Sequence, residues 1–296
     1  MKEKNHKGLP WFGIPKLIPY LRGYGRLFLS MVLFGLLASG MDVVIPLFQQ
    51  YAINHFIADS TMQGIWPFVA LYLLVMAVQT ASNYISAYGA CTAELYIGRD
   101  LRREAFDHVQ TLSFSYFNQN SVGYIHARVI SDTDRIAGTL AWGIMEGVWE
   151  IAYLLFAIVM MFALNWKLAL CVMVIVPILV VSSIFFQKKL VFYHRKVREH
   201  NSQITSAFNE GITGAKTTKT LVIEDKVEKE FDQLTGEMKR VSVRAMHFRS
   251  VFMSTTAFAA SIALAIVLWR GGIITREGVM LVGTLSVFMN YAQGMM

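Results

Sequence analysis

Residues 224–269 read EDKVEKEFDQLTGEMKRVSVRAMHFRSVFMSTTAFAASIALAIVLW, and this stretch changes solvent half-way along. After the acidic pair Glu224 and Asp225, apolar residues recur at Val227, Phe231, Leu234, Met238, Val241, Ala245, Phe248 and Phe252, in steps that alternate between four and three. That spacing predicts a helix with one packed seam and an otherwise polar surface. From Ser250 to Trp269 the charges vanish, leaving the ~20 residues that cross a hydrocarbon core ~30 Å thick. A rod that begins in water therefore runs into a membrane span without a break.

The whole chain agrees with that reading. It has 296 residues, 55% hydrophobic and only 16% charged, with a mean hydropathy of +0.45. A soluble domain of this length would carry nearer ~25% charge, so the composition specifies an integral membrane protein. Six apolar segments are long enough to span: 27–57, 65–93, 137–164, 168–187, 250–269 and 278–296. Residues 58–64, 165–167 and 270–277 read as short turns, whereas 94–136 and 188–249 are far longer than a turn requires. Residues 1–26 mix Trp11, Phe12, Leu17 and Leu21 with Lys16, Arg22 and Arg26, the pattern of an interfacial helix rather than a cleavable signal.

Charge assigns the sides. Of 27 Lys and Arg, six lie in 1–26, five in 94–136 and thirteen in 188–249, leaving Lys167, Arg270 and Arg276 for the opposite connections. Lys and Arg are retained on the cytoplasmic side. The expected topology is therefore a multi-pass protein of the cell membrane with its N-terminus in the cytoplasm and two long cytoplasmic hairpins. The net charge of +7 belongs to this topology and to anionic lipid, not to nucleic acid, for which no binding motif is present. Cys91 and Cys171 are isolated within or beside apolar segments, and the seven His lack ligand spacing, which leaves no disulfide framework or metal site.

The hairpins read as rods. All six prolines fall outside them, at 10, 15, 19, 46, 67 and 177, so the strongest helix breaker is missing. Leu190, Val197 and Ile204, joined by Phe208, descend from the fourth span. Leu101, Ala105, Val109 and Leu112 descend from the second, and Ile125, Val129 and Ile136 return to the third. Each hairpin has a tip that interrupts the pattern. The first runs from Tyr116 to Tyr124, polar in its middle with aromatics at both ends; the second runs from Glu210 to Leu221 and is rich in glycine and threonine. By spacing alone, such tips could simply close two helical hairpins.

The order of these features resembles the transmembrane domain of an ATP-binding cassette (ABC) exporter, the all-α, six-helix type with long cytoplasmic helical extensions. Phe117, Gly123, Arg128 and Asp132 are similar to the family run at the first tip. Glu210, Gly214, Lys219, Glu224 and Phe231 are similar to that at the second. Asn165 to Leu170 with Pro177, and Arg270 to Gly272 followed by Val282 to Leu285 and Phe288 to Tyr291, are similar to the third turn and the entry to the sixth helix. The resemblance covers nearly all of 27–296 and implies an ATP-driven export function for a hydrophobic or amphipathic substrate such as a drug, lipid or peptide. Coupling to nucleotide-binding domains would then run through Phe117, Asn120, Gly123, Tyr124, Arg128 and Asp132 at the first tip. At the second it would run through Glu210, Gly214, Thr217, Lys219 and Leu221. Tyr124 stands where the family has an acidic residue, which leaves the electrostatics of that contact open.

The resemblance also implies partners. A second transmembrane half, identical or related, and nucleotide-binding domains carrying ATP and Mg would complete the machine. This chain is expected to bind neither, because no stretch fits G-x-x-x-x-G-K-[ST]; any ATPase activity would belong to a domain absent here. Met296 falls inside or just below the sixth span, where the family helix would continue toward that domain. A truncated or receptor-like scaffold whose hairpins merely dock a cytosolic partner is the rival from another class.

Three acids lie within the spans. Glu146 and Glu150 are four apart, on one face of the third, and a charge facing lipid at mid-depth would cost ~2.5 kcal/mol or more. Counting ~1.5 Å per residue back from Asn165 puts them about 28 and 22 Å deep, with Asp42 at a similar level. Two readings stand. With Trp142 and Trp149 the acids could line a cavity for a cationic amphipath, or they could sit at headgroup level and pair with Lys or Arg of neighbouring helices.

Overall fold

The computed structural model describes residues 14–295, all its regular elements being helical; the expected interfacial residues Trp11 and Phe12 lie outside them. Five helical runs are long and apolar enough to cross a membrane, Gly25–Ile57, Ile65–Gln110, Val122–Leu164, Trp166–Thr213 and Glu224–Arg276, and four of these contain 43 to 53 residues. Since ~20 residues suffice to span, each of those four carries a long extension, as the seams require. The chain divides into two compact units, one of residues 14–164 with 281–287, the other of 165–280 with 288–294.

In the first unit, helix α1 (Ile14–Gly23) leads into α2 (Gly25–Tyr51), which ends in a π-helical turn, Ala52–Ile57. Helix α3 (Ile65–Gln110) follows, then the short α4 (Phe114–Gln119) and α5 (Val122–His126), a second π-helical turn at Ala127–Asp132, and α6 (Thr133–Leu164). Helices α2, α3 and α6 pack on one another through small residues. On α3 the buried face is Ser82, Ser86, Gly89, Ala90, Ala93, Ile97 and Gly98. A Cβ on Gly89 would lie 3.3 Å from Met31 Cβ, so the backbones approach closely, as small residues in membrane helices allow. Helix α1 is fastened to α3 by hydroxyls: Tyr20 donates to Glu104 and Tyr24 to Asp100 at 2.5 Å. Burial, followed by the adjoining Glu104 carboxylate, pushes the Tyr20 phenol up to about 12.

In the second unit, α7 (Trp166–Met173) and α8 (Ile175–Thr213) are separated at Val174, and α9 (Ala215–Leu221) leads to α10 (Glu224–Arg276). Pro177 explains the break: it cannot donate to Met173, and its ring crowds that carbonyl. Asn165 caps α7, accepting from the Leu168 amide at 3.1 Å, which shrinks the expected 165–167 turn to one residue. Helices α8 and α10 pack along their length. Every residue of the α10 seam from Val227 to Phe252 is buried or half-buried; Phe248 stacks on Tyr193 with ring centroids 5.0 Å apart, and Phe252 meets Phe186 at 5.4 Å.

Three expectations need correction. Phe208 is 57% exposed and Ala207 takes its place on the α8 seam, three residues after Ile204. Ile136 is 42% exposed, whereas Val129, Thr133 and Ala137 are buried. The π-helical turn inserts one residue into the register, turning a four-three step into two steps of four. Residues 270–276, expected as a turn, continue α10, and the chain bends only at Glu277–Leu281, where Gly278 adopts φ +74°. The last apolar segment forms α11 (Val282–Gly294), 13 residues long, in which Phe288, Tyr291 and Ala292 are fully buried.

Candidate functional site

The first tip is shaped by polar side chains. Helix α3 ends at Gln110, and α4 ends when Asn120 turns extended, with φ −121° and ψ 133°. The Tyr116 carbonyl accepts both the Asn120 amide at 3.1 Å and Asn120 Nδ2 at 2.8 Å, so the side chain reinforces the end of the helix. Ser121 then starts α5 as its N-cap, accepting from the Tyr124 amide at 3.2 Å. Beyond it, Arg128 Nη1 donates to Asp132 Oδ2 at 2.7 Å and Nη2 to the Tyr124 hydroxyl at 3.3 Å. The guanidinium also lies 5.1 Å from the Tyr124 ring centroid, within cation–π range. Tyr124 thus partners Arg128 with both its ring and its hydroxyl. Gly123 has open space around it, Phe117 is 41% exposed and Phe114 is 89% exposed.

The second tip is shaped by backbone geometry. The Gly214 amide donates to the Glu210 carbonyl at 2.7 Å, and a Cβ on Gly214 would lie 2.9 Å from that oxygen. Glycine is therefore a steric requirement of the bend. Helix α9 ends with Val222 in the left-handed region, φ 52° and ψ 49°, a conformation that costs an L residue ~1–2 kcal/mol. The Ile223 amide reaches back to the Thr218 carbonyl at 3.2 Å, the six-to-one bond of a Schellman-type end, in which the left-handed residue is normally glycine. Strain of this kind marks a place where surrounding structure dictates the backbone. Thr217 is exposed, Lys219 sits 3.8 Å from Glu224 across the following bend, and Leu221 and Val222 are 61% and 81% exposed.

Within the spans of the first unit, the five candidate cavity residues separate into four settings. Asp42 accepts from Trp149 Nε1 at 2.9 Å and from Gln79 Nε2, a clasp that joins α2, α3 and α6. Pro46 lies one turn beyond, where it deprives the Asp42 carbonyl of its helical donor. Trp142 Nε1 donates to Glu94 Oε2 at 2.8 Å. Glu146, with Gly35, Asn83, Ser86, Met145 and Trp149, lines a small cavity of about 120 Å³. Glu150 is exposed on α6. Among the described residues, no Lys or Arg pairs with Asp42, Glu146 or Glu150. Gln79, Asn83 and Glu94 were not singled out from the sequence. The signal was there in the spacing of Gln79, Ser82, Asn83 and Ser86, a polar stripe at steps of three and four along an otherwise apolar helix.

Residues 27–296 match the family model for the ABC transporter transmembrane region. The chain belongs to this family. Putative multidrug export ATP-binding/permease proteins of Staphylococcus aureus are similar to this transmembrane domain over most of its length. That of strain bovine RF122 / ET3-1 is 24% identical over 288 residues, covering 95% of this chain and 50% of the relative. That of strain NCTC 8325 / PS 47 is 25% identical over 293 residues, with the same coverage of both chains. The chain spans about half the length of these relatives. As an ABC exporter transmembrane domain it is an all-α, multi-pass membrane protein.

Proposed function

We propose that this domain forms the translocation path of an ATP-driven exporter for hydrophobic or amphipathic compounds, working as one of two transmembrane halves. Helices α4 and α9 dock on nucleotide-binding domains, which hold the ATP and Mg. The N-terminus and both tips lie in the cytoplasm, as the Lys and Arg distribution favours. The observation that carries the reading is the pairing of rigid rods with apolar tips. Phe114, Phe117 and Val122 on one hairpin, and Ile212, Leu221 and Val222 on the other, are large apolar side chains left exposed at the tips, where the short α4 and α9 join helices that continue into the spans. Exposed apolar patches of this kind mark protein contacts, and a helix transmits displacement better than a flexible loop.

Phe117, Asn120, Gly123, Tyr124, Arg128 and Asp132 would form the first docking surface and its support. Glu210, Gly214, Thr217, Lys219 and Leu221 would form the second. Glu146 and Glu150 remain the acids placed to attract a cationic amphipath, whereas Asp42 holds three helices together. Reconstituting the chain with its nucleotide-binding domains and measuring ATP-dependent transport tests the assignment. Phe117→Ala and Leu221→Ala should each lower transport and stimulated ATP hydrolysis together without loss of fold. Full transport in both variants would favour the scaffold reading of the tips.

A further inference from the structure

The π-helical turn at the end of the first span, Ala52–Ile57, rotates the residues within it out of the register that α2 would otherwise impose. One of them, Asn54, is thereby aimed at α11. Asn54 Oδ1 accepts from the Gly283 amide at 2.8 Å, and one turn earlier Gln50 Nε2 donates to Thr284 Oγ1 at 2.8 Å. Gly283 is the second residue of α11, and amides in the first turn of a helix have no partner within it. Leu281, the residue before α11, has no side-chain oxygen. Asn54 supplies from another span the acceptor that a Ser, Thr, Asp or Asn at that position would supply locally.

The contact is also tight. A Cβ on Gly283 would lie 2.5 Å from the Gln50 carbonyl oxygen and 2.6 Å from Asn54 Oδ1, so only glycine allows the approach. Thr284 is 7% exposed, and a hydrogen bond sheltered from water is strong when made and costly to leave unmade. Beside it lies the turn Glu277–Leu281, with Gly278 at φ +74°. The two hydrogen bonds, one helical turn apart on the first span, make a single contact. When it opens, its amide and carboxamide groups need water in place of each other.

We infer that Gln50, Asn54, Gly283 and Thr284 form a latch that closes the Ala58–Gly64 end of the first span against the start of α11, and that the latch opens when this end of the domain admits water during transport. Its place in a transport cycle rests on the export reading; its existence rests only on this chain.

Hydrogen–deuterium exchange of the full chain in lipid nanodiscs tests the latch directly. Asn54→Ala should speed exchange at the Gly283 amide roughly five- to tenfold, the effect of losing a helix cap. Asn54→Asp, which keeps an acceptor oxygen, should remain within about twofold of the parent. If Asn54→Ala does not fold, Asn54→Ser, too short to span the same gap, reads the same loss. Unchanged exchange in the folded loss-of-acceptor variant overturns the latch. In the complete transporter, trapping the nucleotide-bound state with ATP and vanadate should raise exchange at Gly283 in the parent protein to the level of Asn54→Ala. Protection that persists in a preparation hydrolysing ATP overturns the opening step. A preparation that hydrolyses no ATP counts against the export reading, and the exchange of the Asn54 variants still decides the latch.

Discussion

The two hairpin tips make the same reversal by different physical means. At the first, Asn120 and Ser121 bend the chain with side-chain hydrogen bonds, to the Tyr116 carbonyl and from the Tyr124 amide. At the second, the bend relies on a glycine that has no room for a Cβ and on a valine held in a left-handed conformation. The first kind of turn is written in residue chemistry. The second is written in backbone geometry, with Val222 held left-handed between α9 and α10. The strained tip should accordingly be the more sensitive to backbone changes, and the capped tip to side-chain changes.

The largest test breaks the rod that carries the strained tip. Met238→Pro removes an amide from the middle of the α10 seam and should cost ~3 kcal/mol or more in helix stability, uncoupling ATP use from transport in the complete transporter. Unaltered transport per ATP would sink the lever model. Next comes Gly214→Ala, which forces a methyl group against the Glu210 carbonyl. A loss of about 1–3 kcal/mol is expected, read as faster proteolytic cleavage near residues 210–222; equal cleavage would show that the bend has slack. At the other tip, Ser121→Ala should cost ~1 kcal/mol, seen as faster amide exchange at Tyr124 with residues 215–221 unaffected. The smallest change has the opposite sign. Val222→Gly should relieve ~1 kcal/mol of left-handed strain, partly offset by glycine's greater chain entropy, and slow cleavage at the second tip. A faster cut would mean that Val222 is stabilised by more than its backbone neighbours.

Much of this was legible because it repeats. The α10 seam held at all eight positions, since a three-four alternation in one uninterrupted helix has a single geometric solution. The returning helix of the first hairpin departed at Ile136 because the π-helical turn adds a residue, and nothing in the local pattern of 127–132 announces that insertion. Residues 270–276 were expected as a turn between two apolar segments, yet they continue α10, with Gly271 buried. Among the cavity candidates, the sequence placed Asp42, Glu146 and Glu150 at similar depth, but depth does not give direction around the helix.

The sequence by itself determined the membrane class, the sidedness expected from charge, the length of the rods and the position of both tips. These are one-dimensional properties: apolar runs, a seam period and the placement of Lys, Arg and Pro. Only the tertiary structure decided that Asp42 is clasped by Gln79 and Trp149, that Tyr124 meets Arg128 with its ring and hydroxyl, and that Asn54 caps α11 from another span. Asp42 lies 37 residues from Gln79 and 107 from Trp149, and Asn54 lies 229 residues from Gly283. Hydrogen bonds over such separations depend on how helices rotate and pack against one another, and local periodicity carries no information about that rotation.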